Sequence, residues 1–179
     1  ERCSKHVFDR RQVGARGEPD AGVWVIRPGV RGALTLDLGK KPQDTIPLFK
    51  GLSNFQARIV ARMASIRVVS AGERLIEIGQ PGIEMYAVIE GKLQASIEGR
   101  SGRVALDPHT RGDIVGEAGL FFARRTANVD AVEDTRLLRI TQQDLETLRR
   151  RYPRIAARVF RNLNEILATR LVHATQRLG

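Results

Sequence analysis

The stretch Ala71-Gly72-Glu73-Arg74-Leu75-Ile76-Glu77-Ile78-Gly79-Gln80-Pro81-Gly82, followed by Met85-Tyr86-Ala87-Val88-Ile89-Glu90-Gly91, decides the fold. Leu75–Ile78 and Met85–Ile89 are short apolar runs, and the residues between them are those that turns demand. The same pattern continues outward in both directions. Ile66–Val69, Leu93–Ile97, Val104–Leu106, Asn128–Val132 and Arg136–Ile140 read as strands, broken at Gly99–Gly102 and at Arg111-Gly112-Asp113. Many short strands at close spacing predict a sandwich, jelly roll or barrel. On either side the period becomes helical. Ser53 suits an N-cap, and Phe55, Ile59 and Met63 at i, i+4, i+8 predict a helix face behind it. After Thr141, Leu145 and Leu148 lead to Tyr152-Pro153, where Pro153 fits the first turn of a further helix. Ile155, Val159, Leu163, Ile166 and Leu167, extended by Leu171, form an apolar stripe that predicts this helix to Leu178. Helix, strands, helices is an α+β order.

Residues 1–44 read as an N-terminal arm or the remnant of a preceding domain. Val23–Ile26 and Ala33–Leu38 are candidate strands within it, and Lys40–Asp44 reads as a linker. The start at Glu1 without a methionine reads as a fragment or a processed product. Length and composition bound the rest. A chain of 179 residues with 42% hydrophobic and 28% charged residues can bury a core without metal or disulfide. The apolar runs are too short for a membrane-spanning helix. The single cysteine, Cys3, can form neither an internal bridge nor a cysteine zinc site.

The net charge of +10 points first to nucleic acid or another anionic surface. Its distribution weakens that reading. Residues 45–142 carry 13 basic and 11 acidic residues, whereas residues 143–179 carry 8 and 3. Arg151, Arg154, Arg158 and Arg161 share one helix face, which reads as a solvated face or a phosphate contact.

One segment carries chemistry: Gly112-Asp113-Ile114-Val115-Gly116-Glu117-Ala118-Gly119-Leu120-Phe121-Phe122-Ala123-Arg124-Arg125-Thr126-Ala127. A short helix over Gly116–Phe122 would direct backbone N–H groups at an anion, and an arginine fork a few residues on could close on it. Glu117 repels phosphate but accepts a sugar hydroxyl, so cation and acid together imply a nucleotide. The competing reading is an internal Glu117–Arg125 ion pair, and spacing alone leaves both open. Phe121 and Phe122 are expected to cover the segment against the barrel. Arg124 reads equally as a phosphate neighbour or an exposed side chain.

Three blocks now resemble one family. Pro47-Leu48-Phe49-Lys50-Gly51-Leu52, the glycine-punctuated strands 71–91, and Gly116-Glu117 with Arg125-Thr126-Ala127 occur in the order and at the separations of cyclic nucleotide-binding domains. Members serve catabolite-activator regulators, kinase regulatory subunits and cyclic nucleotide-gated channels. The resemblance covers about Ile46 to Leu178. It implies an antiparallel β-roll (jelly roll, about 66–141) flanked by a short N-terminal helix and C-terminal helices, with a lid or dimer helix at about 153–178. It implies that Glu117 accepts the ribose 2′-hydroxyl and that Arg125 pairs with the cyclic phosphate. Backbone N–H groups near Gly116, Glu117 and Ala118 would support the ligand, beside Val115, Thr126 and Ala127. The family interval from Arg125 to Pro153 puts Ile166, Arg170 and Leu171 near the base. The chain departs from the family where Ile83 stands in place of a frequent acid, where Ala118 replaces a bulkier residue, and where 117–125 looks one residue short.

The resulting expectation is a regulatory module, not an enzyme, that binds cAMP (favoured) or cGMP and moves its last helix against a partner domain or a second copy. No prosthetic group is expected, and nucleic acid is disfavoured, since the chain holds no helix-turn-helix after the long helix. Localisation is expected to be cytoplasmic, or at the cytoplasmic face of a membrane protein. The alternatives are a module of the same fold that only dimerises, or a fragment of a DNA-binding regulator. His6, His109 and His173 lie at no metal-ligand spacing, Trp24 reads as packing, and no nucleophile–base pair is legible.

Overall fold

The computed structural model describes the backbone of residues 23–26 and 34–37, and all of residues 46–99, 102–122 and 124–176. The linker at 40–44, the Trp24 side chain, Cys3, His6 and residues 177–179 lie outside the described residues. Strand β1 (Val23–Ile26) pairs antiparallel with β2 (Leu34–Asp37) as a separate ribbon.

A 3-10 turn at Pro47–Phe49 opens the continuous part. Helix α1 (Asn54–Met63) follows, its start fixed by a capping box in which the Ser53 hydroxyl accepts from Gln56 N at 3.2 Å and Gln56 Oε1 accepts from Ser53 N at 2.9 Å. Eight strands come next: β3 (Ser65–Val69), β4 (Arg74–Ile76), β5 (Glu84–Glu90), β6 (Leu93–Gly99), β7 (Gly102–His109), β8 (Ile114–Val115), β9 (Asn128–Ala131) and β10 (Thr135–Thr141). The one-turn helix α2 (Gly119–Phe122) sits between β8 and β9. Helices α3 (Gln142–Arg151) and α4 (Pro153–Gln176) close the chain. Tyr152 separates them, because the residue before proline is pushed out of the helical region.

The strands form two antiparallel four-stranded sheets, ordered β3-β10-β5-β8 and β4-β9-β6-β7. The α+β class and the antiparallel β-roll read from the sequence are therefore observed. Strands β5 and β10 of the first sheet are buried on both faces, whereas Val68 of its edge strand β3 is exposed. Met85, Ala87, Ile89, Leu138 and Ile140 turn outward to the helices, where they meet Leu48, Val60, Leu148, Val159 and Leu163. Tyr86, Val88 and Leu137 turn inward, between the sheets, to Ile76, Leu93, Ala95 and Val129. Each fully buried aliphatic side chain there contributes about 1.5–3 kcal/mol. The second sheet's outer face is polar. There Asp130 accepts from Arg74 Nε at 2.7 Å and pairs with Arg103.

Two helix faces differ from the sequence reading. In α1 the buried residues are Ala57, Val60 and Ala61, whereas Phe55 is exposed and Ile59 and Met63 are only partly buried. Small alanines let the helix approach the core closely, so the face with the largest side chains is not the one that packs. In α4, Ile155, Val159 and Leu163 are buried as expected, Ile166 and Leu167 rest against the same cluster, and Leu171 is exposed. Asn162 fastens this helix, its buried amide donating to the Leu48 and Lys50 carbonyls, each at 2.9 Å.

Candidate functional site

A cavity of about 310 Å3 opens between the second sheet, the segment 115–127 and the end of α4. That is the lower end of the range for small-molecule pockets, about 300–1,000 Å3. Ile76, Ala95 and Val129 supply an apolar wall from the sheets. Val115, Gly116, Glu117, Ala118 and Gly119 line one side, and Arg125, Thr126 and Ala127 the other. Arg170, His173 and Ala174 of α4, with Leu106, Asp107 and His109 of β7, line the remainder.

Two of the lining side chains are charged and nearly buried: Glu117 at 6% and Arg125 at 8% exposure. Backbone bonds hold the loop that carries Arg125. Its N–H donates to the Gln80 carbonyl at 2.9 Å, and its carbonyl accepts from Gly79 N at 2.8 Å. Its guanidinium Nη1 donates to the carbonyls of Glu84 (2.6 Å) and Gly116 (3.0 Å), while Nη2 lies 3.8 Å from Glu84 Oε1. This placement needs glycine. A Cβ at Gly82 would overlap the Arg125 side chain, and one at Gly116, where φ is +78°, would stand 2.7 Å from Nη1.

Glu84 ties Arg125 into a wider network. It accepts from the Tyr86 hydroxyl and from Arg139. Burial pushes the Glu84 carboxyl up, but the Tyr86 and Arg139 hydrogen bonds outweigh it and leave the group below its ordinary value. Burial, then the hydrogen bond to Glu84, pushes the Tyr86 phenol up to about 12. The residue read as a departure from the family pattern, Ile83, is exposed, and the acid that reaches Arg125 is its neighbour Glu84.

Glu117 does not pair with Arg125. Its partner is Arg170 of α4, whose Nη1 donates to Glu117 Oε1 and whose Nη2 donates to the Ile114 carbonyl. A pairing of residues 53 apart is not readable from local spacing. The sequence pattern marks no role at the site for His109. It lines the cavity with its imidazole held below the usual histidine range, first by burial and then by the Arg170 charge.

Several expectations are corrected. The helix expected over Gly116–Phe122 begins only at Gly119, with Gly116–Ala118 in the preceding turn. Phe121 and Phe122 are 55% and 71% exposed and do not cover the segment, because a single helical turn can bury only one side, and Leu120 takes it. Ile166 packs on the helical core and does not line the cavity, and Leu171 points to solvent, leaving Arg170 as the member of that trio at the cavity. Of the two readings of Arg124 the exposed one holds: it does not line the cavity and donates to the Gly79 carbonyl at 3.0 Å. Arg151 ends α3 while Arg154, Arg158 and Arg161 lie on α4, so the four do not share one helix; all are exposed, as in the solvated reading, with Arg161 paired to Glu165 at 3.2 Å. Among the described residues no three His, Cys, Asp or Glu side chains group as a metal site, and no helix is long and apolar enough to cross a membrane.

Comparison with known proteins agrees with this fold. Residues 66–152 match the sequence profile of the cyclic nucleotide-binding domain. The cyclic AMP receptor protein of Thermus thermophilus is 32% identical over 133 residues, covering 72% of this chain and 58% of that protein. The crystal structure of the Thermus thermophilus catabolite activator protein superposes with a TM-score of 0.67 at 31% identity, over 74% of this chain and 61% of that one. Glutaminase 1 of Bradyrhizobium diazoefficiens is 27% identical over 132 residues, 74% of this chain but only 21% of its own length. The chain thus spans a minor part of some relatives and somewhat over half of others. With the three-block pattern, the two-sheet roll and this match together, the chain belongs, through residues 66–152, to the cyclic nucleotide-binding domain family.

Proposed function

We propose that the chain is a regulatory, ligand-sensing module that binds a cyclic nucleotide monophosphate in this cavity and passes the event through α4 to a partner domain or a second copy. The observation that carries the reading is one buried cation and one buried carboxylate facing a single mononucleotide-sized cavity. Arg125 would pair with the cyclic phosphate through its planar fork. Glu117 would accept the ribose 2′-hydroxyl. Gly116 and Ala118 would support sugar and phosphate through their backbone, with Val115, Thr126 and Ala127 completing the wall. Arg170 and His173 of α4 stand at the remaining side, where the base would lie.

We favour cAMP, because the Thermus relative is a cyclic AMP receptor protein. Thr126 could bond either the phosphate or a guanine base, so cGMP belongs in the same titration. The module is taken to be residues 45–179, with 1–44 as an arm or the remnant of a preceding domain, and the relatives' greater lengths support a partner domain in a longer chain. A ligand made inside cells puts the module in the cytoplasm or at the cytoplasmic face of a membrane protein. Transmission requires only that the ligand bind one position of α4 more tightly than another.

The test is calorimetry with cAMP and cGMP. Wild type is expected to bind saturably. Arg125→Ala should weaken binding by about a hundredfold and Glu117→Gln by about tenfold, the cost of losing a charge-assisted hydrogen bond. No binding of either nucleotide to folded wild type overturns the reading. A second observation favours self-association through the same helix: Leu171 and Val172 of α4 are 69% and 53% exposed. Sedimentation with and without nucleotide separates the two activities.

A further inference from the structure

Strand β7 is exposed from Gly102 to Pro108 and sinks only at its last residue, His109. This histidine is half-buried, opposite the fully buried Leu93 of β6. It lines the cavity with Arg170 and His173, on the side where the base would lie. Four charged groups bear on its imidazole. They are Asp107 on β7 itself, Asp113 in the turn before β8, Glu117 in the segment 115–127, and Arg170 on α4. His173 of α4 shares the cavity but is exposed. Two of the three carboxylates are already engaged, since Asp113 accepts from Thr110 N at 2.8 Å and Glu117 holds Arg170. Asp107 is exposed. Burial first, then the Arg170 cation, outweighs these acids and holds the imidazole below the usual histidine range.

We propose that the cavity takes its ligand with His109 uncharged, so that protonation of this one side chain weakens binding and releases the ligand in acid. This rests on the cavity being the cyclic nucleotide site. Such a ligand brings its negative charge to Arg125 and an uncharged base to the side of His109. The base offers an imidazolium no counter-charge but takes solvent from it, deepening the burial that already disfavours the charged form. The ribose hydroxyl, donating to Glu117, draws on one of the carboxylates that favour that form. A neutral imidazole keeps one donor and one acceptor for the edge of a purine, whereas the imidazolium has donors only. All three effects have the same sign. The ligand lowers the proton affinity of His109, so protonation must lower the affinity for the ligand by the same factor. The dissociation constant is then level above the midpoint of the free imidazole and rises as pH falls through it.

The experiment is calorimetry of wild type, His109→Gln and His173→Gln with cAMP and cGMP, from about pH 8 to about pH 5, in buffers of different ionisation enthalpy. The cyclic phosphate keeps its single charge throughout. Wild-type Kd should be level from about pH 8 to about pH 7 and rise by about threefold or more at pH 5, with protons released on binding at the acid end. His109→Gln should hold Kd within about twofold across the range, whatever its value at the alkaline end, and release no proton. His173→Gln should keep the wild-type rise. Proton NMR gives the same answer without a variant's affinity. The His109 resonance, assigned by its absence from His109→Gln, should titrate below the usual histidine value in the free chain and lower still with nucleotide bound. A level wild-type Kd, proton uptake on binding, a rise that survives in His109→Gln, or a midpoint that the ligand leaves in place or raises overturns the proposal. The site reading then still stands, because it needs only binding at the alkaline end. If wild type binds neither nucleotide there, the function itself falls and this proposal with it. Should His109→Gln fail to fold, His109→Leu, apolar beside Leu93, carries the same expectation.

Discussion

From Pro153 to Leu163, α4 is a core helix: Ile155, Ala156, Val159 and Leu163 are buried, and Asn162 is bonded twice to the 3-10 turn. From Asn164 to Gln176 the same helix is half-buried or exposed, and its polar hold on the barrel is Arg170. The first half is secured by area and close packing, which respond only to global unfolding. The second is secured by a charge-assisted contact inside a ligand-sized cavity, which a ligand can reach. Elements that move on binding are drawn from the low-stability end of a structure, and the distal half of α4 has that character. One continuous helix then joins a rigid anchor to a responsive end.

Substitutions that separate the halves sharpen this contrast. The largest effect is expected at Leu163, where alanine opens a cavity under the anchored half and should cost about 3 kcal/mol in urea unfolding. Asn162→Ala is next, at about 2 kcal/mol by the same measurement, since it strands two backbone carbonyls, one at a buried contact. Alkaline pH should act on both halves together, through the barrel wall behind the cavity. The Tyr86 phenol is raised in the folded state to about 12, so its contribution is complete below the ordinary tyrosine value and is lost as pH climbs towards 12. A loss on the order of 2 kcal/mol between pH 10 and 12 is expected, and Tyr86→Phe should flatten it. The smallest effect is expected at Leu171, where alanine should change stability by less than about 0.5 kcal/mol. A large loss at Leu171 in a monomer would break the comparison, because it would mean that the distal half is packed after all.

The roll was legible because glycines and turn residues punctuate most strands from Ile66 to Ile140, and a two-period pattern survives between them. Ser53 and Pro153 were legible because capping and first-turn preferences are local. The two-residue strand β8 carries too little pattern to be read. Phe55 is misleading because bulk alone does not mark the packed face: Ala57 and Ala61 allow the closer approach. Phe121 and Phe122 misled because one turn of helix cannot turn neighbouring residues inward together. At the site, residue types and order pointed to Glu117 and Arg125, but their partners Arg170 and Glu84 come from distant elements and are set by tertiary geometry. The overall charge of +10 said least, since the cavity is organised around individual buried charges and the arginine face of α4 lies in solvent.

The most direct test is a calorimetric titration of the purified chain with cAMP, cGMP and linear 5′-AMP under one set of conditions. The expected result is saturable one-site binding of at least one cyclic nucleotide, with 5′-AMP, whose doubly charged open phosphate does not match a single buried arginine, weaker by at least about tenfold. Absence of heat with both cyclic nucleotides, or equal affinity for 5′-AMP, would contradict it.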